Sequence, residues 1–302
     1  MTQKTLWVKD PVTNLLVPAR AGAVSAVASS SSISFLEGKE QAAVVKLMYR
    51  EAGIQLNPTC DLAKHIAAAS HVCDQWLSGK VRKIPVGLLF RGIQMDKIAT
   101  SVLAAKACPN IADHLRHLAS GSLDVMARRS SKAKDKLWEL ELHALLRARS
   151  IMADLDEPDI VAKMKDAVIG IACKKIYSHK NVEKTLSVGV AQIEEVSEYG
   201  LLAINIDDLW PPNQIRASTS DDELGHSLTQ ENLAFLDRHN RHFRKYLSTG
   251  RVMGAMVASG GIAYVDPSYQ SARQFTTWTM PGLEPAKAKL IKELQDQIQT
   301  RW

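Results

Sequence analysis

Apolar residues first recur at three- and four-residue spacing at Ala42, Val45, Leu47 and Met48, and again at Leu62, Ile66 and Ala69. This is the periodicity of a helix with one buried side. Segments 94–107 and 110–127 carry the same spacing, which predicts a mainly helical first portion. Leu6 to Val17 reads as extended chain. Ala21–Ser34, rich in small residues and ending in a serine run, is expected to be a linker or a flexible surface arm.

Near Ser130 the pattern changes. The spacing predicts a helix over 131–149, strands over 157–161 and 168–174, a helix over 181–198 and a strand from Leu201 to Ile206. Helix, hairpin, helix and strand in that order imply an α/β sheet covered by helices. Thr229 is expected to cap a further helix running to about Leu247. Val252–Val265, apolar with internal glycines, suits one or two late strands, and Glu284–Gln299 suits a helix after Pro281-Gly282. The chain divides on this reading into a helical recognition or assembly region (1–128), an α/β domain (129–265) and a C-terminal extension with a helix (266–302).

Within 131–149, Lys136, Glu139, His143, Arg147 and Ser150 form a continuous polar stripe, and Glu139 reads as a solvated surface residue. Glu141 falls instead among Leu137, Ala144, Leu145 and Ala148. Burying an unpaired carboxylate is expensive, so Glu141 calls for a metal or a basic partner. In the hairpin, a turn centred between Lys165 and Asp166 sets Asp159 opposite Ala172. Strand alternation then separates Ile169, Ile171 and Cys173 from Gly170, Ala172 and Lys174, and lets Asp159 and Lys174 face one cleft. Cys173, on the apolar side, reads as a buried structural thiol rather than a nucleophile. His143 and His179 read as surface groups rather than zinc ligands.

These residues resemble the PD-(D/E)xK nuclease superfamily, particularly its restriction-endonuclease-like and Mrr-like branches. Glu141 corresponds to the helical glutamate of that family, Pro158-Asp159 to its metal-binding aspartate, and Ala172-Cys173-Lys174 to its terminal (D/E)xK segment. Gln192 resembles a glutamine that lies near the active site in related nucleases. The resemblance covers roughly 131–210. It implies a restriction-endonuclease-like mixed sheet flanked by helices, and a Mg²⁺-dependent DNA endonuclease in which Mn²⁺ can substitute. It also implies a homodimer, since duplex cleavage involves two strands, and a place in restriction, defence or mobile-element processing, with protein partners there. Ala172 departs from the pattern, because alanine supplies no ligand where the family has a second acid. Either Glu141, helped by Glu157, completes the site, or this is an inactive nucleic-acid-binding or assembly module with a degenerate nuclease fold.

On the first alternative, Asp159 and Glu141 with the Cys173 carbonyl are hard oxygen ligands suited to Mg²⁺. Such a metal polarises phosphate and lowers the pKa of an attacking water. Lys174 would orient that water and offset developing charge, with Gln192 beside it.

Charge refines the picture. The net charge of +6 is uneven: residues 1–130 hold 16 Lys and Arg against 9 Asp and Glu, and residues 131–302 hold 22 against 23. From Phe235 to Arg251 there are five Lys and Arg and one Asp. Arg238, Arg241, Arg244 and Lys245 there, with Lys175 near the hairpin, are the expected contacts to a phosphate backbone. Lys163, Lys165, Lys180 and Lys184 would add positive charge near the site. Tyr264, Tyr269, Phe275, Trp278 and Trp302 invite base stacking, without a diagnostic spacing. DNA is the expected substrate, with RNA a second possibility. The four cysteines form no CxxC pair, no apolar run is long enough to span a bilayer, and the N-terminal segment lacks a secretory layout, so a cytoplasmic setting without a membrane is expected.

Overall fold

The computed structural model describes residues 7–9, 16–18, 23–32, 34–80, 83–124, 127–211, 215–265 and 268–299. Its first portion is helical, as the spacing predicts: α1 (Phe35–Glu51), α2 (Asp61–Leu77), α3 (Val86–Ala104) and α4 (Ile111–Ser120). Then follow α5 (Lys132–Ala148), β4 (Met152–Asp154), β5 (Ile160–Lys163), β6 (Val168–Lys175), α6 (Val182–Val196) and β7 (Tyr199–Asn205). A short strand β8 (Arg216–Ser218) precedes α7 (Asp221–Arg238) and α8 (Asn240–Leu247), and β9 (Gly254–Val265), β10 (Ser268–Thr279) and α9 (Pro285–Gln299) complete the order. Before α1 lie β1 (Trp7–Lys9), β2 (Leu16–Pro18) and β3 (Ala23–Ser32).

Among the described residues the fold is α/β, with an eight-stranded mixed sheet in the order β3-β10-β9-β7-β6-β5-β4 and β8 joined to β9 outside that path. Strands β4, β5 and β6 form an antiparallel meander, and β7 returns parallel to β6 after α6. The parallel step requires a crossover, which α6 supplies. Both faces of the sheet are covered. Ile169 and Ile171 of β6 and Leu201 and Ala203 of β7 join the core under α5, while Ala172, Leu202 and Ile204 join that under α6 and α8. Burial on two sides explains why β7 reads as a continuous apolar run.

Four expectations need correction. The segment expected to be a linker or arm contains β3, which pairs with β10 from Ala23↔Thr279 to Ser32↔Gln270. Backbone pairing offered by a distant strand outweighs the weak local signal of its serines. The sheet consequently crosses both expected divisions: β3 comes from 1–128 and β10 from 266–302, and both share it with β9. The helix expected to start at Thr229 starts at Asp221, where the Ser220 hydroxyl accepts the Glu223 amide, and it breaks at His239. The polar stripe of α5 is not solvated throughout, since Glu139 is 3% exposed and His143 is fully buried. Helix α5 is packed between α3 and α4 on one side and the sheet on the other, so a polar row can be as buried as an apolar one.

Candidate functional site

The chain reaches Asp159 as it turns into β5, where the hairpin opens beyond its last pair, Ile160↔Ile171. That register sets Asp159 opposite Ala172, as the turn position predicts. Asp159 Oδ2 accepts from the Cys173 amide at 2.8 Å and from Lys174 Nζ at 2.8 Å. Lys174 Nζ also donates to the Cys173 carbonyl at 3.1 Å, so that oxygen already has a partner. The lysine stem crosses α6 at Gly189, where a Cβ would stand 3.3 Å from Lys174 Cγ. Gln192, one turn further along α6, donates to the Pro158 carbonyl at 2.6 Å, which ties the helix to the approach of Asp159.

The carboxylate acting on this pair is Glu139, not Glu141. Burial raises the Asp159 pKa first, the charge of Glu139 raises it further, and Lys174 and the Cys173 amide only partly offset this. Glu139 Oε2 accepts from Lys136 Nζ at 2.7 Å and pairs with His114 Nε2 of α4 at 2.8 Å. Burial opposes the charge of Glu139, but His114 and Lys136 prevail and hold it below the usual carboxylate range. The Cys173 thiol is buried, and burial first, then Asp159 and Glu139, push it up. A buried, protonated thiol is not a nucleophile.

Glu141 lies elsewhere. Its oxygens pair with Lys97 Nζ of α3 and with an Arg273 guanidinium nitrogen of β10, each at 2.8 Å. Positions two apart on a helix point about 200° apart, so both glutamates cannot serve one site. Glu141 thus has the basic partner its burial called for, and it is not brought to Asp159 and the Cys173 carbonyl. Sequence alone does not group Glu139, His114 and Lys136, because a three-and-four-spaced polar row is also the pattern of a water-facing helix side. His114 and Glu139, 25 residues apart, meet only when α4 packs on α5.

Lys175 also leaves the expected surface. Its amine is 2.8 Å from Asp208 and donates to Asn205 Oδ1 at 2.7 Å, and its side chain is 8% exposed. Lys134 reaches the same carboxylate at 2.9 Å. Asp207 beside it pairs with Arg273 at 2.9 Å. Burial would raise the Asp207 pKa, but Arg273, Lys175 and Lys97 hold it well below the usual range. Structural ion pairs therefore consume Lys175.

The basic helix divides likewise. Arg238, Arg241 and Lys245 are exposed, but Arg244 is 2% exposed and belongs to the core with Phe243 and Leu247. Lys163 pairs with Asp154, and Lys163 and Lys165 sit at the turn end of the hairpin, away from Asp159. His179 Nδ1 and His239 Nε2 are 2.9 Å apart beside the exposed arginines. Phe275 and Trp278 are buried, packed on Trp138 and Phe243, which removes them as stacking platforms; Trp302 lies outside the described residues.

Among the described residues no group of three or more His, Cys, Asp and Glu is arranged to enclose a metal, and no helix is long and apolar enough to cross a membrane. Compared with protein-family models, curated proteins and solved structures, the chain matches none.

Proposed function

We propose that the cluster at the C-terminal end of β6 is a phosphodiester-hydrolysing centre that acts on DNA with Mg²⁺, Mn²⁺ substituting. One observation carries the reading. Asp159, at the mouth of an opened hairpin, is held by the amide of Cys173 and the amine of Lys174, and the charge of a second buried acid, Glu139, adds to burial in raising its pKa. Two carboxylates that repel each other in a buried place suit a divalent cation. Mg²⁺ usually takes one or two carboxylates and completes its shell with water and phosphate, so an all-protein cage is not needed. Asp159 and Glu139 would hold the ion, which supplies polarisation of the phosphate and an acidified water. Lys174 offsets charge on the phosphate oxygens, and Gln192 fixes the Pro158 carbonyl and with it the aim of Asp159. The order α5, antiparallel meander, α6 and parallel β7 supports a restriction-endonuclease-like arrangement of the PD-(D/E)xK type. Exposed Arg238, Arg241 and Lys245 supply contacts to a phosphate backbone.

A specific observation favours the non-catalytic alternative. Ala172 is fully buried in the core that includes Leu186, Val190 and Leu202, and Lys174 already compensates Asp159. The two readings part on a supercoiled-plasmid assay across Mg²⁺ and Mn²⁺. Cleavage by the unmodified chain that disappears in Asp159→Ala and in Lys174→Ala while DNA binding persists supports hydrolysis. DNA binding without cleavage by any of the three proteins overturns it in favour of a binding module.

A further inference from the structure

A groove of about 540 Å³ lies where the turn His179–Asn181 enters α6 and α7 gives way to α8. Three imidazoles line it in a row. His239 is stacked on His179 with ring centroids 5.2 Å apart, and on His242 at 6.1 Å. Phe235 packs 4.9 Å from the His239 ring, and His239 is 6% exposed. Lys180, Arg238 and Arg241, all exposed, line the same groove.

The charges here do not balance. Among the described residues the lining holds one carboxylate, Glu183, which already faces His242 Nδ1 at 3.5 Å and Lys245 Nζ at 3.8 Å. Lys180, Arg238 and Arg241 enter no ion pair among the described residues. Arg241 Nε donates only a long hydrogen bond, 3.4 Å, to His242 Nε2.

This excess of positive charge keeps the imidazoles neutral. Burial first, then His179, His242, Arg238 and Arg241, take His239 down to about 4. Burial followed by Arg238 depresses His179. For His242 burial again leads, Glu183 opposes it, and Arg241 and Lys245 add to it. His179 Nδ1 and His239 Nε2, 2.9 Å apart, share one hydrogen bond, so one nitrogen donates and the other accepts. That pair accommodates one added proton but not two, which would set N–H against N–H. Because these nitrogens are engaged with each other, the row does not frame a metal cation.

We propose that this groove binds a phosphate group and that the histidine row takes up a proton as it does so. Three unpaired cations around a groove call for an anion. Two guanidinium forks and an amine, from three segments of the chain, offer donors to three or more oxygens, which a phosphate presents and a carboxylate does not. Bound phosphate offsets Arg238 and Arg241, the charges that hold His239 neutral, so binding and protonation strengthen each other by the same factor. The linkage acts below the ordinary value of 6.5, and as pH falls toward about 4 the liganded row protonates first. Above 6.5 the row is neutral with or without the ligand. The site rests on the phosphate-contact reading of Arg238 and Arg241, and not on hydrolysis at Asp159.

The test is a histidine ring-proton NMR titration of the full chain in EDTA, from about pH 8 down to about pH 4.5. It is run without ligand and with dimethyl phosphate, methyl phosphate or acetate, the His239 signal being assigned by its loss in His239→Asn. A phosphate ester is expected to raise the His239 midpoint by about one pH unit or more, equivalent to about tenfold tighter binding to the protonated form. Acetate is expected to leave the midpoint in place. Arg238→Gln with Arg241→Gln should raise the midpoint without ligand and weaken phosphate binding more than about tenfold. Both side chains are exposed, so the double variant keeps the fold. A shift with dimethyl phosphate identifies a backbone phosphate as the ligand, and one with methyl phosphate alone a terminal or free phosphomonoester; either upholds the site. No shift with either ester, an equal shift with acetate, or binding unchanged in the double variant overturns the proposal. No arm uses cleavage or a DNA strand, so failure here is distinct from failure of the hydrolysis or DNA-binding readings.

Discussion

Lys174 passes so close to Gly189 that a methyl group on the helix would stand 3.3 Å from its Cγ and 3.5 Å from its Cε. The same methyl would fall 2.7 Å from Leu202 Cδ2, a side-chain end able to rotate away. Gly189→Ala should gain up to about 1 kcal/mol of helix propensity while displacing the lysine that reaches Asp159. On the hydrolysis reading, cleavage falls about tenfold or more with no loss of thermal stability. A variant equally active and equally stable would show that Lys174 tolerates displacement and is not the positioned group.

Glu139→Gln and Glu141→Gln separate the two acids of α5. Both lose stability, because each leaves buried cations short of a partner, at a cost of roughly 3–5 kcal/mol. Only Glu139→Gln should also lose cleavage, by about 100-fold or more at saturating Mg²⁺. Denaturant melts and turnover on the same samples check this. Loss of turnover confined to Glu141→Gln would return the helical glutamate to the position expected from sequence.

Reversing Arg238, Arg241 and Lys245 to glutamate should weaken DNA binding alike across unrelated sequences. The slope of log affinity against log salt should become shallower by roughly 0.9 for each phosphate no longer neutralised. Arg244→Met is the control, since that side chain is 2% exposed. It should lower the unfolding midpoint and leave the salt slope unchanged. An unaltered slope in the triple variant removes this face from the interface.

His239 makes stability depend on pH. Burial first, then His179, His242, Arg238 and Arg241, push its pKa down from 6.5 to about 4. Between these values the unfolded chain binds a proton that the folded chain does not. Its contribution is therefore complete above about 6.5 and fades as pH falls toward about 4. Urea midpoints should drop from pH 7.5 to pH 5, and His239→Asn should flatten that dependence. Some slope remains, because burial also depresses His65 and His143. An unchanged slope in the variant assigns the effect to other groups.

Sequence periodicity reaches α5, the β5–β6 hairpin, α6, β7 and the facing of Asp159 and Lys174, because those depend on short-range alternation and one hairpin turn; it misses β4 and starts β5 three residues early. It could not separate Glu139 from Glu141. Their roles are set by which helices pack on α5, and α3, α4 and β10 reach it from three regions of the chain. Charge was similarly ambiguous. Lys175 and Arg244 look like their exposed neighbours in sequence, yet Asp208 and the helix core take them, and only long-range packing decides that.

The pairing of β3 with β10 joins residues about 240 to 255 positions apart, from Ser32↔Gln270 to Ala23↔Thr279. Loop-closure entropy makes such late, distant pairings slow to form. During synthesis β3 must wait for this partner while all the intervening polypeptide emerges. A ribosome-bound chain halted after β9 would leave both β3 and the outer edge of β9 unsatisfied, a template for mispairing with other chains. The serine-rich strand β3 is therefore without its partner until β10 has been made, and this edge of the sheet is completed only then.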